Sequence, residues 1–483
     1  MKLADLLSPW VMTAIPDCDI SSLHNDSRQV KPGSLFIAYP GAAFDGRLFV
    51  GQACQSGAVA IVYDPENLPL SCDFPRHIPC MPVPQLGKKL AAMASRFYKE
   101  PTRSFCVTGV TGTNGKTTIA YQLAQAYGLL GQRAAYVGTL GQGPVDALMP
   151  LMNTTPDALC LQQFFHECQQ RRIQHVCMEV SSHALSQKRV EHIDFAAAIY
   201  TNLSHEHLDY HHTMQAYAEA KATLFTTPSL KWAIINHDDP YSQLMGEQLA
   251  STCQKLTYGL LDGCDVRAAQ WQTSMTGSQI EVVSPWGKHD VLVSLLGTFN
   301  IYNSLAVFAR LLADGVSSSD AIHVMAKLKA APGRMEVVAQ SPCVIVDYAH
   351  TPDALENVLT TLSQLKKGRL GVVFGCGGDR DKTKRPMMGR IASQYADFVI
   401  VTSDNPRTEE PTMIVDEVAA GLLPTTRAEK IVDRKEAIHH ALSMAGDEDI
   451  LLIAGKGHES YQQIGSERFY FSDQDVVRHL LRQ

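Results

Sequence analysis

The segment Thr108–Thr118 reads TGVTGTNGKTT and decides the fold of this chain. The apolar run before it, Phe105–Val107, predicts a buried strand, and the run Ile119–Ala124 after it predicts the first turns of a helix. A strand, a glycine-rich loop, a Lys-Thr pair and a helix can together hold a polyphosphate, because loop N–H groups and a helix N-terminus attract negative charge. The segment therefore predicts a nucleotide-binding site.

The spacing within this loop departs from the common phosphate-loop pattern. The pattern G-x4-G-K-[ST] requires glycine at position 110, which is Val110, and the nearest upstream glycine is Gly109. The loop is therefore either one residue longer than the standard form or turns on Gly112 instead. In both cases we expect Lys116 to reach the terminal phosphates and the Thr117 hydroxyl to ligate Mg²⁺. The alternative is a glycine-rich turn with an incidental lysine.

Size and composition limit the class of protein. A length of 483 residues predicts about three domains. The net charge of -7 argues against a nucleic-acid-binding protein, which would show a basic face. The N-terminal residues lack the apolar core of a signal peptide, and no apolar run reaches the length of about 18 residues that a membrane span needs. Twelve cysteines without CxxC pairs favour free thiols, so we expect a cytoplasmic protein.

The order of apolar and polar segments predicts three units, 1–98, 99–333 and 334–483. In the second unit, strands alternate with helical segments, which predicts an α/β fold with mostly parallel sheets. The strand candidates of this unit are 104–109, 175–180, 195–200 and 232–236.

The third unit repeats this style, because four apolar strands each run into a polar loop. These segments are 343–350, 370–380, 398–407 and 450–459. Ligands bind beyond the carboxyl ends of such strands, so the loops should converge on one rim. There, Arg380 and Arg407 could hold a carboxylate, and Asp404 and Glu459 could accept from an ammonium group, as a site for an amino acid requires. The alternative is a set of capped loops with local ion pairs.

The second unit also carries Glu179 at a strand end and a histidine-rich stretch, Ser204–His212. Its spacing, H-x-H-x3-H-H, matches no common zinc pattern. A site for a second divalent ion beside a polyphosphate and a loop of solvated histidines both remain open. By its spacing alone Lys221 is an ordinary exposed lysine. Arg334, after the Pro332-Gly333 break, either clamps a phosphate between domains or forms a surface salt bridge.

Nine motifs of this chain, in this order, resemble those of the Mur ligase family. They are TGTNGKTT, MEVSSH, TNLSHEHLDYH, GTFNIYNSLA, PGRME, DYAHTPDALE, GCGGDRDKTKRP, DNPRTEEP and AGKGHE. The resemblance covers essentially the whole chain. It implies three domains: a smaller N-terminal α/β domain, a central P-loop ATPase-like domain with a parallel sheet, and a C-terminal Rossmann-like domain. It also accounts for the glycine spacing of the phosphate loop, because members of the family have the pattern G-x2-G-x2-G-K-T, as in Gly109–Thr117.

The resemblance implies an ATP-dependent amide ligase that uses Mg²⁺ and acts through an acyl phosphate. DNPR at 404–407 resembles the branch that adds meso-diaminopimelate to UDP-N-acetylmuramoyl-L-alanyl-D-glutamate in peptidoglycan precursor synthesis, whereas lysine-adding members typically lack the Arg. Partners would be these small molecules, with no nucleic acid and no membrane, and the protein would act as a monomer. A ligase that takes lysine and a nucleotide-binding protein without catalysis remain as other hypotheses.

The resemblance also implies the roles of individual residues. For catalysis these are Lys116, Glu179, His207, Lys221 and Arg334. For the metal they are Thr117, Glu179, His207 and Lys221, the last as a carbamylated lysine. For the nucleotide they are Gly112, Thr113, Asn114, Gly115, Lys116, Thr117, Thr118, Asn303, Arg334 and Asp347. For the UDP-linked substrate they are Asn25, Ser27, Ala42, Ala43, Phe44, Asn153, Thr154, Thr155, Ser181, Gln187 and Arg189. For diaminopimelate they are Arg380, Asp404, Asn405, Pro406, Arg407, Gly455 and Glu459.

Two segments depart from the family pattern. The family usually reads DHLDYHG where this chain reads EHLDYHH, so Glu206 keeps the charge but His212 replaces a flexible glycine. Ala42-Ala43-Phe44 replaces a more polar triplet, so uridine contacts there would come from the backbone or from stacking on Phe44.

Overall fold

A computed structural model describes residues 1–41 and 44–482. They form two compact units, which differ from the three units predicted from the sequence and are called the first and the second unit from here on. The first unit comprises 1–116, 131–235 and 240–255, and the second comprises 117–130, 236–239 and the chain from Leu256 onward. The division after Lys116 falls inside the phosphate-loop segment. The three domains predicted from the sequence, 1–98, 99–333 and 334–483, stay a prediction.

The N-terminal part of the first unit is a four-stranded parallel sheet in the order β1-β2-β3-β4. Its strands are β1 Ser22–His24, β2 Ser34–Ala38, β3 Ala58–Tyr63 and β4 Cys80–Pro82. Its helices are α1 Leu3–Leu7, α2 Val50–Gln55 and α3 Leu86–Phe97. Every residue of β2 is buried, with Leu35 in one apolar cluster and Phe36 in another, because helices cover both faces of a parallel sheet.

The rest of the first unit has strands in the order β7-β6-β8-β5-β9-β10, and the pairings of β5, β6, β8, β9 and β10 with one another are parallel. The strands are β5 Cys106–Thr111, β6 Ala134–Gly138, β7 Gly141–Gly143, β8 His175–Glu179, β9 Phe195–Tyr200 and β10 Trp232–Asn236. The helices are α5 Ala158–Gln170, α6 Ser182–Ser186, α7 Leu208–His211, α8 Met214–Ala222 and α9 Ser242–Gly246. Helix α4, Lys116–Leu129, follows β5 and belongs to the second unit from Thr117 onward. The four strands predicted here are confirmed, with bounds within two residues.

The chain from β11 to α11 forms a part that the sequence interpretation missed. Strands β12, β13 and β14 form an antiparallel meander, in which Trp271 pairs with Ile280 and Ile280 with Val291. The elements are β11 Gln254–Gly259, β12 Val266–Ser274, β13 Gly277–Ser284, β14 Gly287–Val293, α10 Thr298–Ala313 and α11 Ser318–Met325. The expectation of mostly parallel sheets is therefore incomplete at this place.

The C-terminal part of the second unit is a six-stranded sheet in the order β15-β16-β20-β17-β18-β19, parallel except for β15. Its strands are β15 Glu336–Gln340, β16 Cys343–Asp347, β17 Leu370–Phe374, β18 Phe398–Val401, β19 Arg427–Lys430 and β20 Ile450–Ala454. A hairpin follows, β21 Tyr461–Ile464 and β22 Glu467–Tyr470. The helices are α12 Pro352–Leu365, α13 Lys384–Tyr395, α14 Pro411–Ala419, α15 Arg434–Met444 and α16 Asp473–Leu480.

The predicted α/β class is confirmed, with a small N-terminal sheet, a parallel-rich central sheet and a C-terminal α/β sheet. Each sheet is buried by helices that the chain places between parallel strands, as this class requires. Within the described residues, no helix combines the length and apolar character that crossing a membrane demands.

Candidate active site

The phosphate loop turns on Gly112, which answers the question that its spacing raised. Gly112 has φ +146°, and a Cβ there would lie 1.8 Å from the Thr201 hydroxyl oxygen, so only glycine fits. Gly109 lies inside β5, where a Cβ would come within 2.8 Å of the Phe195 ring. The extra residue therefore belongs to the strand, and the loop is not lengthened.

Two residues after β9, Thr201 and Asn202, hold the loop in this shape. The Asn114 N–H donates to the Asn202 side-chain oxygen at 3.0 Å, and the Thr201 hydroxyl donates to the Asn114 carbonyl at 2.6 Å. The Thr113 N–H donates to the Asn202 carbonyl at 2.8 Å. Sequence reasoning missed both residues, although they precede the histidine-rich stretch in the motif TNLSHEHLDYH.

Two lysines converge on the loop. Lys116 Nζ donates to the carbonyls of Gly112 and Thr113 at 2.9 and 2.7 Å, and Lys221 Nζ donates to the Gly112 carbonyl at 2.8 Å. Lys221 is 1% exposed, so the expectation of an ordinary exposed lysine is wrong. Burial holds the pKa of Lys221 well below its usual value, and the charge of Lys116 lowers it further against the opposing effect of Glu206.

Glu179 lies at the end of β8, and its carboxylate is 1% exposed and held by three donors. Tyr136 donates its hydroxyl to Oε1 at 2.5 Å, the Thr139 N–H donates to Oε1 at 2.8 Å, and the Thr139 hydroxyl donates to Oε2 at 3.2 Å. A Cβ at Gly138 would lie 2.2 Å from Oε1, so the close approach requires glycine. Tyr136 and Thr139 carried no signal in the sequence.

Five of the residues predicted for the UDP-linked substrate surround Glu179 and are linked by hydrogen bonds. The Thr155 hydroxyl donates to the Glu179 carbonyl at 2.9 Å, and the Ser181 N–H donates to the Thr155 hydroxyl at 3.1 Å. Arg189 donates to the Thr155 carbonyl at 3.0 Å and to the Gln187 side chain at 2.5 Å. The hydroxyls of Thr154 and Thr139 lie 3.2 Å apart. Asn153, in contrast, is exposed.

The remaining residues predicted for this substrate lie in the N-terminal sheet region. The Asn25 amide donates to the Tyr39 hydroxyl at 3.3 Å, and the Ser27 hydroxyl donates to Gln52 at 2.8 Å. Phe44 is 76% exposed, which leaves its ring available for stacking. Ala42 and Ala43 lie outside the described residues.

The histidines of the histidine-rich stretch differ in their exposure to solvent. His205 and His207 are exposed, whereas His211 is 7% exposed. His183 lies against this stretch, with its ring centroid 4.9 Å from that of His207 and 4.2 Å from that of Tyr210. Burial lowers the pKa of His211 to about 4, with His183 and Lys221 adding to the effect, so its ring is neutral at pH 7. Among the residues that the structure describes, no three His, Cys, Asp or Glu side chains form a metal-binding group.

His212 has a backbone conformation with positive φ, which favours glycine. Its φ is +66° and its ψ is -36°, and the Thr213 N–H donates to the His211 carbonyl at 2.8 Å across it. This is a tight three-residue turn with positive φ, which is strained for a residue with a Cβ. His212 therefore holds this turn at a cost in conformational energy.

In the second unit, Arg334 stacks on an aromatic ring. Its guanidinium carbon lies 4.4 Å from the Tyr348 ring centroid, and its Nη2 lies 3.4 Å from the Thr117 hydroxyl. Asp347 accepts from the N–H groups of Met335 and Ala349 at 2.7 and 2.8 Å, and so fixes the backbone on both sides. Burial raises the pKa of the Asp347 carboxyl, while Arg334 opposes this. Among the described residues, Arg334 thus forms no surface salt bridge, which was one of the two alternatives that the sequence left open.

Two further residues predicted for the nucleotide, Asn303 and Thr118, are buried and lie on helices. Asn303 lies on α10, is 6% exposed and donates to the Asn300 side chain at 2.9 Å. Thr118 lies on α4 and is 7% exposed.

The predicted convergence of strand ends in the C-terminal sheet is confirmed. Asn405 donates to Glu459 at 2.8 Å, and Lys456 Nζ lies 3.3 Å from both Glu459 and the Asn405 side-chain oxygen. Pro406 lies between Asn405 and Arg407 in the loop after β18. A Cβ at Gly455 would lie 2.7 Å from Asp404, so this glycine admits the carboxylate. Sequence reasoning missed Lys456, although it lies in the motif AGKGHE.

Two arginines of this rim differ in their contacts. Arg407 donates to the Gly378 carbonyl at 2.6 Å, lies at φ +51° and forms no salt bridge among the described residues. Arg380 is exposed. The rim therefore combines the local ion pair Lys456–Glu459 with the Arg407 guanidinium, which forms no salt bridge among the described residues.

These features define an α/β ligase of one family, and the comparisons with known proteins agree. Family models match at 19–98 ("Mur ligase family, catalytic domain"), 110–311 ("Mur ligase middle domain") and 333–457 ("Mur ligase, glutamate ligase domain"). The chain belongs to the Mur ligase family and is a ligase.

Several relatives of this chain are named UDP-N-acetylmuramoyl-L-alanyl-D-glutamate--2,6-diaminopimelate ligase. The protein of that name from Chromobacterium violaceum is 44% identical over 97% of this chain and 98% of its own length. The one from Geobacillus thermodenitrificans is 42% identical over the full length of both chains. A solved structure of the same name is 36% identical, covers 100% of this chain and 99% of its own, and superposes with a TM-score of 0.72.

Proposed function

We propose that this chain is the ADP-forming ligase that joins meso-2,6-diaminopimelate to UDP-N-acetylmuramoyl-L-alanyl-D-glutamate in the cytoplasm. The choice of amino acid rests on Arg407 within DNPR. Its guanidinium forms no salt bridge within the part of the chain that the structure describes, and it follows Asn405, which contacts Glu459. Such a rim offers a cation to the distal carboxylate of diaminopimelate, which lysine lacks. The names of the relatives support the same substrates.

The reaction has two steps. A carboxylate oxygen of the D-glutamyl residue attacks the γ-phosphorus of ATP, the bond to the β-phosphate oxygen breaks, and ADP leaves. The neutral amine of diaminopimelate then attacks the acyl carbon, the C–O bond to phosphate breaks, and the nitrogen loses a proton to give an amide. Because a carboxylate must meet a triphosphate, positive charge aimed at the phosphoryl group lowers the barrier. Lys116 and Arg334 supply that charge in our proposal.

Mg²⁺ belongs to this proposal, with Thr117, Glu179, His207 and Lys221 as the residues that would hold it. As an amine, Lys221 does not suit a cation. As a neutral nucleophile with a lowered pKa, it suits addition of CO₂, in which the nitrogen bonds to carbon, a proton leaves and a carbamate anion forms. In that form the residues fit the ion, which when bound supplies neutralising charge for the phosphates.

One assay tests the proposal. Purified chain, UDP-N-acetylmuramoyl-L-alanyl-D-glutamate and Mg-ATP are mixed with either meso-diaminopimelate or L-lysine, and ADP release is followed. We expect diaminopimelate to be preferred by up to about 10⁴-fold in kcat/KM, since lysine leaves charged groups of the site unpaired. Faster turnover with lysine would overturn the choice of amino acid. ATP binding without ADP formation with either acceptor would overturn catalysis itself.

The remaining parts of the proposal concern organisation. The three segments 1–98, 99–333 and 334–483 would bind the UDP-linked substrate, ATP and the amino acid respectively. The chain would act as a monomer, which light scattering of the purified protein checks. The twelve free cysteines support the cytoplasmic location.

A further inference from the structure

Three buried side chains of the first unit, Ser182, His211 and Tyr217, contact one another in a row. Ser182 is 2% exposed, His211 7% and Tyr217 1%. Ser182 Oγ and His211 Nε2 lie 2.9 Å apart, within hydrogen-bonding distance. The His211 ring stacks on the Tyr217 ring with centroids 5.0 Å apart and planes 25° apart. We call these residues the buried row.

Each end of the buried row reaches one side of the proposed site. At one end, Ser182 directly follows Ser181, whose N–H donates to Thr155 in the region assigned to the UDP-linked substrate. At the other end, the Tyr217 hydroxyl lies 3.2 Å from the Thr113 hydroxyl of the phosphate loop. Lys221 Nζ lies 4.4 Å from the Tyr217 ring centroid. The row therefore connects the loop after β8 to the phosphate loop.

The buried row contains polar groups that filling the space would not require. Two apolar side chains of similar size would fill the same space without losing the hydration of a hydroxyl and an imidazole. A buried hydrogen bond instead fixes one geometry, because moving either partner leaves a buried polar atom unsatisfied. Phosphoryl transfer between two bound substrates needs one fixed relative position of the phosphate loop and the loop after β8.

We propose that Ser182, His211 and Tyr217 are positioning residues that keep the substrate loop at Ser181 in register with Thr113 and Lys221. They touch neither substrate nor nucleotide in this proposal and act through those neighbours. The inference rests on the proposed function, because it assumes that the two loops hold the acceptor and ATP.

Variants of His211 separate the two links of the row. His211→Phe keeps a ring against Tyr217 but removes the hydrogen bond to Ser182, whereas His211→Gln places an amide near the Nε2 position but removes the stacked ring. Ser182→Ala removes the same hydrogen bond from the other side. We expect each variant to lower kcat by on the order of 10²-fold, the effect of a small misalignment of reacting groups. The Kd of ATP alone and of the UDP-linked substrate alone should stay within about twofold.

A double-mutant cycle gives the sharpest readout. Ser182→Ala and His211→Phe remove one shared hydrogen bond. The kcat of the double variant should therefore be no more than about twofold below the kcat of the less active single variant. His211→Gln combined with Ser182→Ala should lose more, since a second link is cut. Losses that multiply in the first pair would overturn the proposal, as would single variants with wild-type kcat.

Controls separate this inference from folding and from the proposed function. Gln170→Ala removes an exposed contact between a side-chain amide and the His166 ring, at 2.9 Å in the same unit, and should leave kcat unchanged. A row that is merely structural would weaken both Kd values and lower Tm together, without a selective loss in kcat. If the wild type itself fails to turn over diaminopimelate, the proposed function fails, whereas an active wild type with unaffected variants contradicts the row alone.

Discussion

Lys221 on α8 and Lys456 after β20 are both buried, at 1% and 0% exposed, but their surroundings are opposite. Lys456 Nζ donates to the Glu459 carboxylate and to the Asn405 side-chain oxygen, each at 3.3 Å. Lys221 contacts a carbonyl and a ring, forms no salt bridge among the described residues, and lies near a second lysine, Lys116. Removing one partner of a buried ion pair is destabilising, whereas a buried amine without a countercharge is a candidate for a chemical role.

The largest effect should follow removal of the Lys221 side chain. Lys221→Ala is expected to lower kcat by on the order of 10²–10³-fold, as losing a group that supports transition-state charge does. Short carboxylic acids added to the assay should restore part of the activity, because they replace the carbamate that we propose. ADP release with and without acetate measures this. A Lys221→Ala variant with unchanged kcat, or one that carboxylic acids do not rescue, would contradict the proposal that Lys221, unlike Lys456, acts in the reaction as a carbamate.

The partnered lysine should matter for stability instead. Lys456→Met leaves the Glu459 carboxylate without its cation, so the free energy of unfolding should fall by roughly 1–3 kcal/mol. Urea denaturation followed by circular dichroism measures the change. Unchanged stability would mean that the Lys456–Glu459 contact contributes nothing to the fold.

Lys221, which forms no salt bridge among the described residues, should respond in the opposite direction, and its response should depend on pH. Lys221→Met should raise the free energy of unfolding by about 1 kcal/mol or more, because a buried amine is replaced by an apolar chain of similar size. The folded-state pKa of Lys221 is below its ordinary 10.5, so between these values the unfolded state binds more protons and wild-type stability rises with pH. The gain from Lys221→Met should therefore be largest at low pH and shrink as pH rises toward 10.5.

Denaturation in CO₂-free and metal-free buffer from pH 7 to pH 10 checks this dependence. A stability difference between wild type and Lys221→Met that stays constant over the range would contradict the lowered pKa. Lys456→Met serves as the matched substitution at a buried, paired lysine.

The smallest effect concerns the turn that follows the histidine-rich stretch. His212→Gly should raise the free energy of unfolding by about 0.5–1 kcal/mol, because relief of the strain at φ +66° and ψ -36° exceeds the added entropy of glycine in the unfolded chain. Gln85→Gly is the matched control, since Gln85 lies in the ordinary left-handed region at φ 54° and ψ 41° and should gain less. A loss of stability in His212→Gly would show that its side chain stabilises the turn.

Much of the fold followed from local patterns. The strands around residues 106, 175, 195 and 232 were predictable because short apolar runs end in polar turns, and the rim of the C-terminal sheet followed because parallel strands share one edge. The meander β12–β14 was missed, since its alternation of buried and exposed residues is broken at a bulge between Ala268 and Gln270.

Some residues of the candidate site were also predictable from local sequence patterns, and others were not. Gly112, Lys116 and Glu179 stand at strand ends or in a glycine-rich loop, where sequence and geometry coincide. Lys221 was misjudged because α8 reads MQAYAEAKA, and small alanines give no apolar stripe that marks its buried face.

The sequence by itself determined the α/β class, the phosphate loop and the motifs that place the chain in its family, because each depends on residues close together in the chain. Only the tertiary structure decided that the loop turns on Gly112, that Lys221 is buried against Lys116, and that Ser182 meets His211. These contacts join residues far apart in the sequence, and burial, which sets both the pKa of an amine and the value of a hydrogen bond, exists only after the chain has packed.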